Sequence, residues 1–306
     1  MNAPLLPADI DVATFDTLHD DVAAWGPMVT AVAAAIPNLP GPLQPVGSGT
    51  VFVALLGDSQ VLKLYPPFLH DHFAFECAAL AAIGGGLSIP TPRLLQTGAC
   101  EGWPWLVMSQ LFGEPLTGAW PALLKSDKCR LLHTLGALAA EVHRLPAAAL
   151  AAHAPRWADF IAKQRTGCVG RQQRTGLPAH LLERLPAFLD GPLPQGLDVI
   201  LTGEYTPMNL LVHGARLSGM FDFGDGLVGP APYDWLGPLT FLAAGSAARC
   251  NAFFNGYGRT PDRAQRLALM RLLLLHRYSH FQAQIALPGW QAAPDFEALT
   301  ERLWPM

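Results

Sequence analysis

The chain has 306 residues, 51% hydrophobic and only 14% charged, so it can bury a sizeable core as one large domain or two lobes and lies far from the profile of a disordered segment. Its 20 basic against 24 acidic side chains give a formal charge of -4, which argues against the basic footprint that nucleic-acid binding requires. The five cysteines show no CxxC spacing, so neither a zinc site nor a disulfide framework is indicated and a reducing cytoplasm is the predicted compartment.

In chain order, residues 1–20 carry acidic side chains and no basic stretch ahead of an apolar core, so no secretory signal is predicted. Residues 47–65 alternate β-branched or aromatic with small residues around Gly57-Asp58, which predicts a hairpin preceded by Gly47-Ser48-Gly49. Residues 73–83 have apolar positions at helical spacing with Glu76 among them, and Gly84-Gly85-Gly86 stops the helix. A short strand at Trp105-Leu106-Val107-Met108 closes the first lobe, taken as residues 1–110. Residues 111–306 are then expected to be mostly helical, opening with a long helix near Asp127 whose apolar face includes Leu131, Leu135, Leu138 and Val142. An alanine-rich stretch at 146–155 reads as a mobile connection. A strand-turn-strand unit is predicted over 199–223 with its turn at His213-Gly214, followed by helical segments at 239–254, 261–285 and 294–303. The order is sheet first and helices later, an α+β fold. The most apolar late run, 267–275, is broken by Arg271 and is too short to span a bilayer.

The residues that carry chemistry cluster in Thr202-Gly203-Glu204-Tyr205-Thr206-Pro207-Met208-Asn209 and in Asp222-Phe223-Gly224-Asp225. One hairpin would bring together a carboxylate, an amide and a second carboxylate. Phosphoryl transfer asks for Mg²⁺ on hard oxygen ligands and a carboxylate beside the attacking hydroxyl, and Glu204, Asn209 and Asp222 can supply both. Upstream, Gly47-Ser48-Gly49 precedes a strand, Lys63 follows on the next strand and Glu76 on the helix after it. A lysine neutralises nucleotide phosphates well if a carboxylate fixes its flexible stem. Each has a plainer alternative: an ordinary glycine turn, an edge-strand lysine, a solvent-facing glutamate, and turn-forming Asn209 and Asp222. Asp234 reads as a helix brace, His143 as a satisfied core or helix-end histidine, and His276 with His280, four apart, as structure or pocket lining.

Several stretches in this order resemble the aminoglycoside phosphotransferases, and within them the hygromycin B phosphotransferases. They are Val61-Leu62-Lys63-Leu64, Glu76-Cys77-Ala78-Ala79-Leu80, Pro90-Thr91-Pro92-Arg93-Leu94-Leu95, Trp105-Leu106-Val107-Met108-Ser109, Glu141-Val142-His143-Arg144-Leu145-Pro146, the 202–212 loop, Asp222-Phe223-Gly224-Asp225 and Tyr233-Asp234. The resemblance implies a protein-kinase-like fold in which a β lobe clamps ATP against a helical lobe holding a small-molecule acceptor. It implies that Lys63 contacts the phosphates, Glu76 orients Lys63, Asn209 and Asp222 bind Mg²⁺, and residues 108–111, with Ser109 and Leu111, meet the adenine. Glu204 would be the catalytic carboxylate. The family usually has histidine and aspartate where this chain has Thr202 and Glu204, and the extra methylene displaces the carboxylate by roughly 1 Å, enough to cost on the order of a hundredfold in rate unless the backbone adjusts. For an acceptor bearing ammonium groups, Asp225 is the first candidate contact, with Asp159, Asp295 and Glu297 behind it. Kinases of choline- or homoserine-like metabolites, and a nucleotide-binding pseudokinase, share this architecture.

Overall fold

The computed structural model describes residues 5–203 and 205–306. Two helices come first, α1 (Val12–His19) and α2 (Val22–Ala35), each started by an aspartate: Asp11 Oδ1 accepts from Thr14 N at 2.8 Å and Asp21 Oδ1 from Ala23 N and Ala24 N at 3.1 Å. An order of sheet first and helices later overlooks this pair. The alanine-rich α2 lacks a charged stripe opposite its apolar one, so periodicity alone marks it weakly.

An antiparallel sheet follows, built of β1 (Leu43–Val46), β2 (Phe52–Leu56), β3 (Gln60–Leu64), β4 (Leu94–Cys100) and β5 (Trp103–Ser109) in the order β1-β2-β3-β5-β4. Helix α3 (His70–Ile83) lies between β3 and β4 in the chain. Because side chains alternate across a strand, Phe52, Ala54, Leu62 and Leu64 pack outward with Phe15, Trp25, Val29 and Trp103 under α1 and α2. Val53, Val61 and Lys63 are sent to the opposite face. The register pairs Val53 with Lys63 and Lys63 with Leu106, so Lys63 stands on the central strand of the sheet. An edge-strand explanation for this lysine does not hold.

The rest of the chain packs on the other core. The elements are β6 (Glu114–Pro115), α4 (Leu116–Ala119), α5 (Lys125–Val142), α6 (Ala148–Ala151), α7 (Trp157–Arg174), α8 (Ala179–Leu189), β7 (Asp198–Leu201), β8 (Leu210–His213), β9 (Arg216–Met220), β10 (Leu227–Pro230), α9 (Pro232–Gly237), α10 (Ala247–Tyr257), α11 (Arg263–Leu275), α12 (Phe281–Gln284) and α13 (Phe296–Leu303). Helices α5 and α10 approach backbone to backbone: a methyl on Gly136 would collide with the Phe253 carbonyl, and one on Gly256 with that of His133. The alanine-rich 146–155 stretch is no loose connection, since it forms α6 and buries Leu150 completely. The helix expected over 261–285 ends at Leu275, and His276 and His280 fall on the irregular segment beyond it. They share no helix face. β8 and β9 form the expected hairpin, with left-handed Gly214 (φ 53°) and Ala215 (φ 60°) at its turn. β7 pairs with β10, a strand that alternation had not marked. Among the described residues no helix is long and apolar enough to cross a membrane.

Candidate active site

The sheet's inner face, α3 and the β8–β9 hairpin converge on a cavity of about 830 Å³. Lys63 Nζ donates to both oxygens of Glu76, at 2.7 and 2.9 Å, and to Asp222 Oδ1 at 2.7 Å. Glu76 reaches this point because α3 turns one face inward, burying Phe75, Glu76, Ala79, Leu80 and Ile83. It also accepts from the Tyr65 hydroxyl and, at 3.5 Å, from the Phe223 amide. Burial opposes the charge on Lys63, but the carboxylates of Asp222 and Glu76 outweigh it and raise its pKa above the ordinary lysine range. Burial and then Glu76 raise the Tyr65 pKa, so Tyr65 remains a phenol and a donor.

Asp222 follows β9 with φ 69°, a left-handed conformation that aspartate tolerates better than most residues. It turns the carboxylate back toward Lys63. The Phe221 amide donates to the Asn209 carbonyl at 3.1 Å, which keeps Asn209 and Asp222 adjacent, and both line the cavity. Their side chains offer an amide oxygen and a carboxylate, the hard donors a divalent cation prefers, and Asp222 keeps a side-chain exposure of 32%. Asn209 and Asp222 are thus the residues that would hold a divalent cation at this site.

The loop after β7 is held from behind. Buried Asp234, at the start of α9, accepts from Thr202 N at 3.0 Å and Gly203 N at 2.9 Å, and His143 Nε2 lies 3.2 Å from the same carboxylate. His143 Nδ1 in turn meets the Tyr257 hydroxyl at 3.0 Å. Gly203 is obligatory twice over: its φ is 77°, and a methyl there would lie 2.8 Å from the Asp225 carbonyl. Glu204, the expected catalytic carboxylate, lies outside the described residues.

Ser48, Gly49, Ser109 and Leu111 line the cavity, whereas Gly47 stands behind it, where a methyl would meet Val22 of α2 at 2.9 Å. The Ser109 and Gln110 amides already donate to Arg93 O at 2.9 Å and Ser59 O at 2.8 Å, while the Leu111 amide has no backbone partner among the described residues. Apolar walls come from Val46, Val53, Val61, Met108, Leu211 and Phe221. Sequence reasoning had named Met108 within the 108–111 segment but passed over the others, and over Tyr65, because such residues carry no mark of which face they take. Asp225 also lines the cavity, but its Oδ1 accepts from Tyr278 at 2.9 Å and Arg277 at 3.2 Å, with His72 Nδ1 at 3.2 Å. Asp159 is exposed and 3.9 Å from Arg156, Asp295 caps α13 through Ala298 N at 2.8 Å, and Glu297 lies in the first turn of that helix. None of these three lines the cavity.

Residues 42–269 match the family described as the phosphotransferase enzyme family. A search of curated protein sequences finds no match. Among solved structures, the chain is similar to the ternary complex of APH(2″)-IIa with streptomycin and ATP, at 15% identity and TM-score 0.60, over 82% of this chain and 90% of that one. It is also similar to the GDP and kanamycin complex of APH(2″)-IIIa, at 17% identity and TM-score 0.67, over 80% and 89%. The macrolide 2′-phosphotransferase MphH from Brachybacterium faecium is 22% identical with TM-score 0.61, over 91% and 97%. These likenesses establish the fold: a β-sheet lobe followed by a helical one, in the protein-kinase-like arrangement.

Proposed function

This chain belongs to the phosphotransferase enzyme family, and we propose that it transfers the γ-phosphoryl group of ATP to a hydroxyl of a small molecule. The observation that carries this reading is the contact of Lys63 with Glu76 and Asp222 at the head of an 830 Å³ cavity. Residues 1–110 act as the nucleotide-clamping lobe and 111–306 as the lobe that carries the loop around Glu204 and receives the acceptor. The adenine lies between the apolar walls of the sheet's inner face and the connection that carries Ser109 and Leu111, while Ser48 and Gly49 cover the phosphates. Lys63, held by Glu76, which Tyr65 braces in turn, places its charge on the phosphate oxygens as charge develops on the departing ADP. Asn209 and Asp222 would hold Mg²⁺, which supplies charge neutralisation to the same oxygens. The acceptor oxygen bonds to the γ-phosphorus as the bond to ADP breaks, and Glu204 takes the hydroxyl proton. Asp234 fixes the loop that carries Glu204 through the Thr202 and Gly203 amides.

Hygromycin B or a related aminocyclitol is the acceptor that the sequence resemblance implies, and the streptomycin and kanamycin of the neighbouring complexes are the further aminoglycosides to test. Five free cysteines suit a reducing cytoplasm. The deciding measurement is Mg²⁺-dependent ADP release against hygromycin B, streptomycin, kanamycin, a macrolide, choline and homoserine, with nucleotide binding measured separately. Glu204→Gln is expected to lose transfer and keep nucleotide affinity, and Asp222→Asn to lose both. Turnover by Asp222→Asn at the parent rate would refute the metal assignment. ATP binding with no turnover on any acceptor would favour a nucleotide-binding module instead.

A further inference from the structure

The cavity continues past Lys63 into the helical lobe, where Met208, Leu236, Thr240, Phe241, Leu273 and Tyr278 form its wall. Among the described residues that line it, the ionisable side chains are Lys63, Asp222, Asp225, His276 and Tyr278. Both of the described carboxylates, Asp222 and Asp225, are already answered by a donor of the protein. Asp222 holds Lys63 at 2.7 Å, and Asp225 receives Arg277, Tyr278 and His72 on one oxygen at 3.2, 2.9 and 3.2 Å. His276 is stacked on Tyr233, and its Nδ1 accepts from Tyr278 N at 3.2 Å. Burial, with Arg277 and Arg171 nearby, pushes its pKa down to about 3, so it is neutral.

A ligand with several ammonium groups needs a carboxylate for each group it buries, because an unpaired charge taken from water costs several kcal/mol. Asp159, Asp295 and Glu297, the acidic residues that sequence offers for that purpose, are placed elsewhere. What the wall provides is accessible apolar surface from exposed Met208 and half-buried Phe241, backed by the buried core residues Leu236 on α9 and Leu273 on α11.

Taking the phosphotransfer reading as given, we infer that the acceptor is a hydroxylated molecule with an apolar face and at most one positive charge, seated on Met208 and Phe241. Asp225 is then a positioning residue and not a substrate contact. It ties α3, through His72, to the segment after α11.

The test measures binding to the Mg-ADP-loaded protein by calorimetry, and ADP release with Mg-ATP, for two pairs of probes. Kanamycin and streptomycin are the polycations; erythromycin, with one amine, and octyl glucoside, with none, are the amphipathic pair. The parent should favour at least one amphipathic probe over both polycations by about tenfold or more in affinity or kcat/KM. Phe241→Glu, which adds a carboxylate to the wall, should strengthen kanamycin binding by roughly tenfold and weaken the amphipathic probe. Thr117→Glu, at an exposed position lining the same cavity, repeats the test if Phe241→Glu does not fold. Preference of the parent for a polycation overturns the inference, as does failure to bind or turn over either amphipathic probe. An added carboxylate that leaves kanamycin affinity unchanged in a folded variant overturns it too. Loss of Mg-ATP binding by the parent, measured without acceptor, would instead remove the phosphotransfer reading on which the inference rests.

Discussion

Replacing Lys63 by methionine isolates the electrostatics of the candidate site, because methionine fills a similar volume without the charge. One ammonium against two carboxylates becomes two carboxylates alone. Glu76, which is fully buried, keeps among the described residues the Tyr65 hydroxyl and the Phe223 amide as donors. Breaking a buried ion pair from one side costs about 3–5 kcal/mol. Asp222, at 32% side-chain exposure, can pass its share to water in the cavity, so the lower end applies, about 3 kcal/mol. At about 2–4 °C per kcal/mol for a chain of this size, Tm should fall by roughly 6–12 °C. Adding Glu76→Gln removes the stranded charge and leaves an acceptor for Tyr65, so the double variant should regain about half of the loss, near 1.5 kcal/mol. Thermal and urea unfolding of the parent, both single variants and the double variant would measure this. A double variant whose loss equals or exceeds the sum of the singles would refute the reasoning, since Lys63 would then be stabilising through packing alone.

Asp234→Asn presents an amide donor to the Thr202 and Gly203 amides in place of a second acceptor oxygen, and should cost about 2–3 kcal/mol in a denaturant melt. Turnover should fall by about tenfold or more, through kcat rather than nucleotide affinity. His276 binds its proton near pH 6.5 when unfolded but only at about 3 when folded, so the unfolded chain holds more protons between those values and stability falls as pH drops below 6.5. At pH 4.5 that loss is at most about 2.7 kcal/mol, and His276→Gln should remove it, so the parent-minus-variant stability should fall by up to that amount from pH 6.5 to 4.5. Gly136→Ala drives a methyl into the Phe253 carbonyl and to 2.9 Å from Tyr257 N, and should destabilise by about 3 kcal/mol. Gly118→Ala, with nothing within 4 Å, should stay within about 0.5 kcal/mol in the same unfolding series.

Lys63, Glu76, Asn209 and Asp222 were legible in the sequence because each sits in a short segment whose local structure is strongly marked: an alternating strand, a helix stopped by three glycines, a hairpin. Their order along the chain then limited what they could build. The partners of these residues left no comparable mark. Tyr65 is one more aromatic at a strand end until β3 is known to turn it, with Lys63, toward Glu76. Asp225 adjoins the 222–224 motif and reads as a substrate carboxylate, yet His72, Arg277 and Tyr278 reach it from 153, 52 and 53 residues away, separations no local pattern reports. Helices α1 and α2 were missed for a related reason: their apolar stripe has meaning only against the outer face of the sheet.

Amino-acid order alone thus determined the lobe sequence, the alternation that sends Lys63 to one face, and the residue types that suit phosphoryl transfer, because these depend on local periodicity and side-chain chemistry. Only the tertiary structure decided which charges meet, which are already neutralised and what lines the acceptor half of the cavity. Electrostatic and hydrophobic energies depend on distance in space and on burial, and both are set when residues far apart in the chain are packed together.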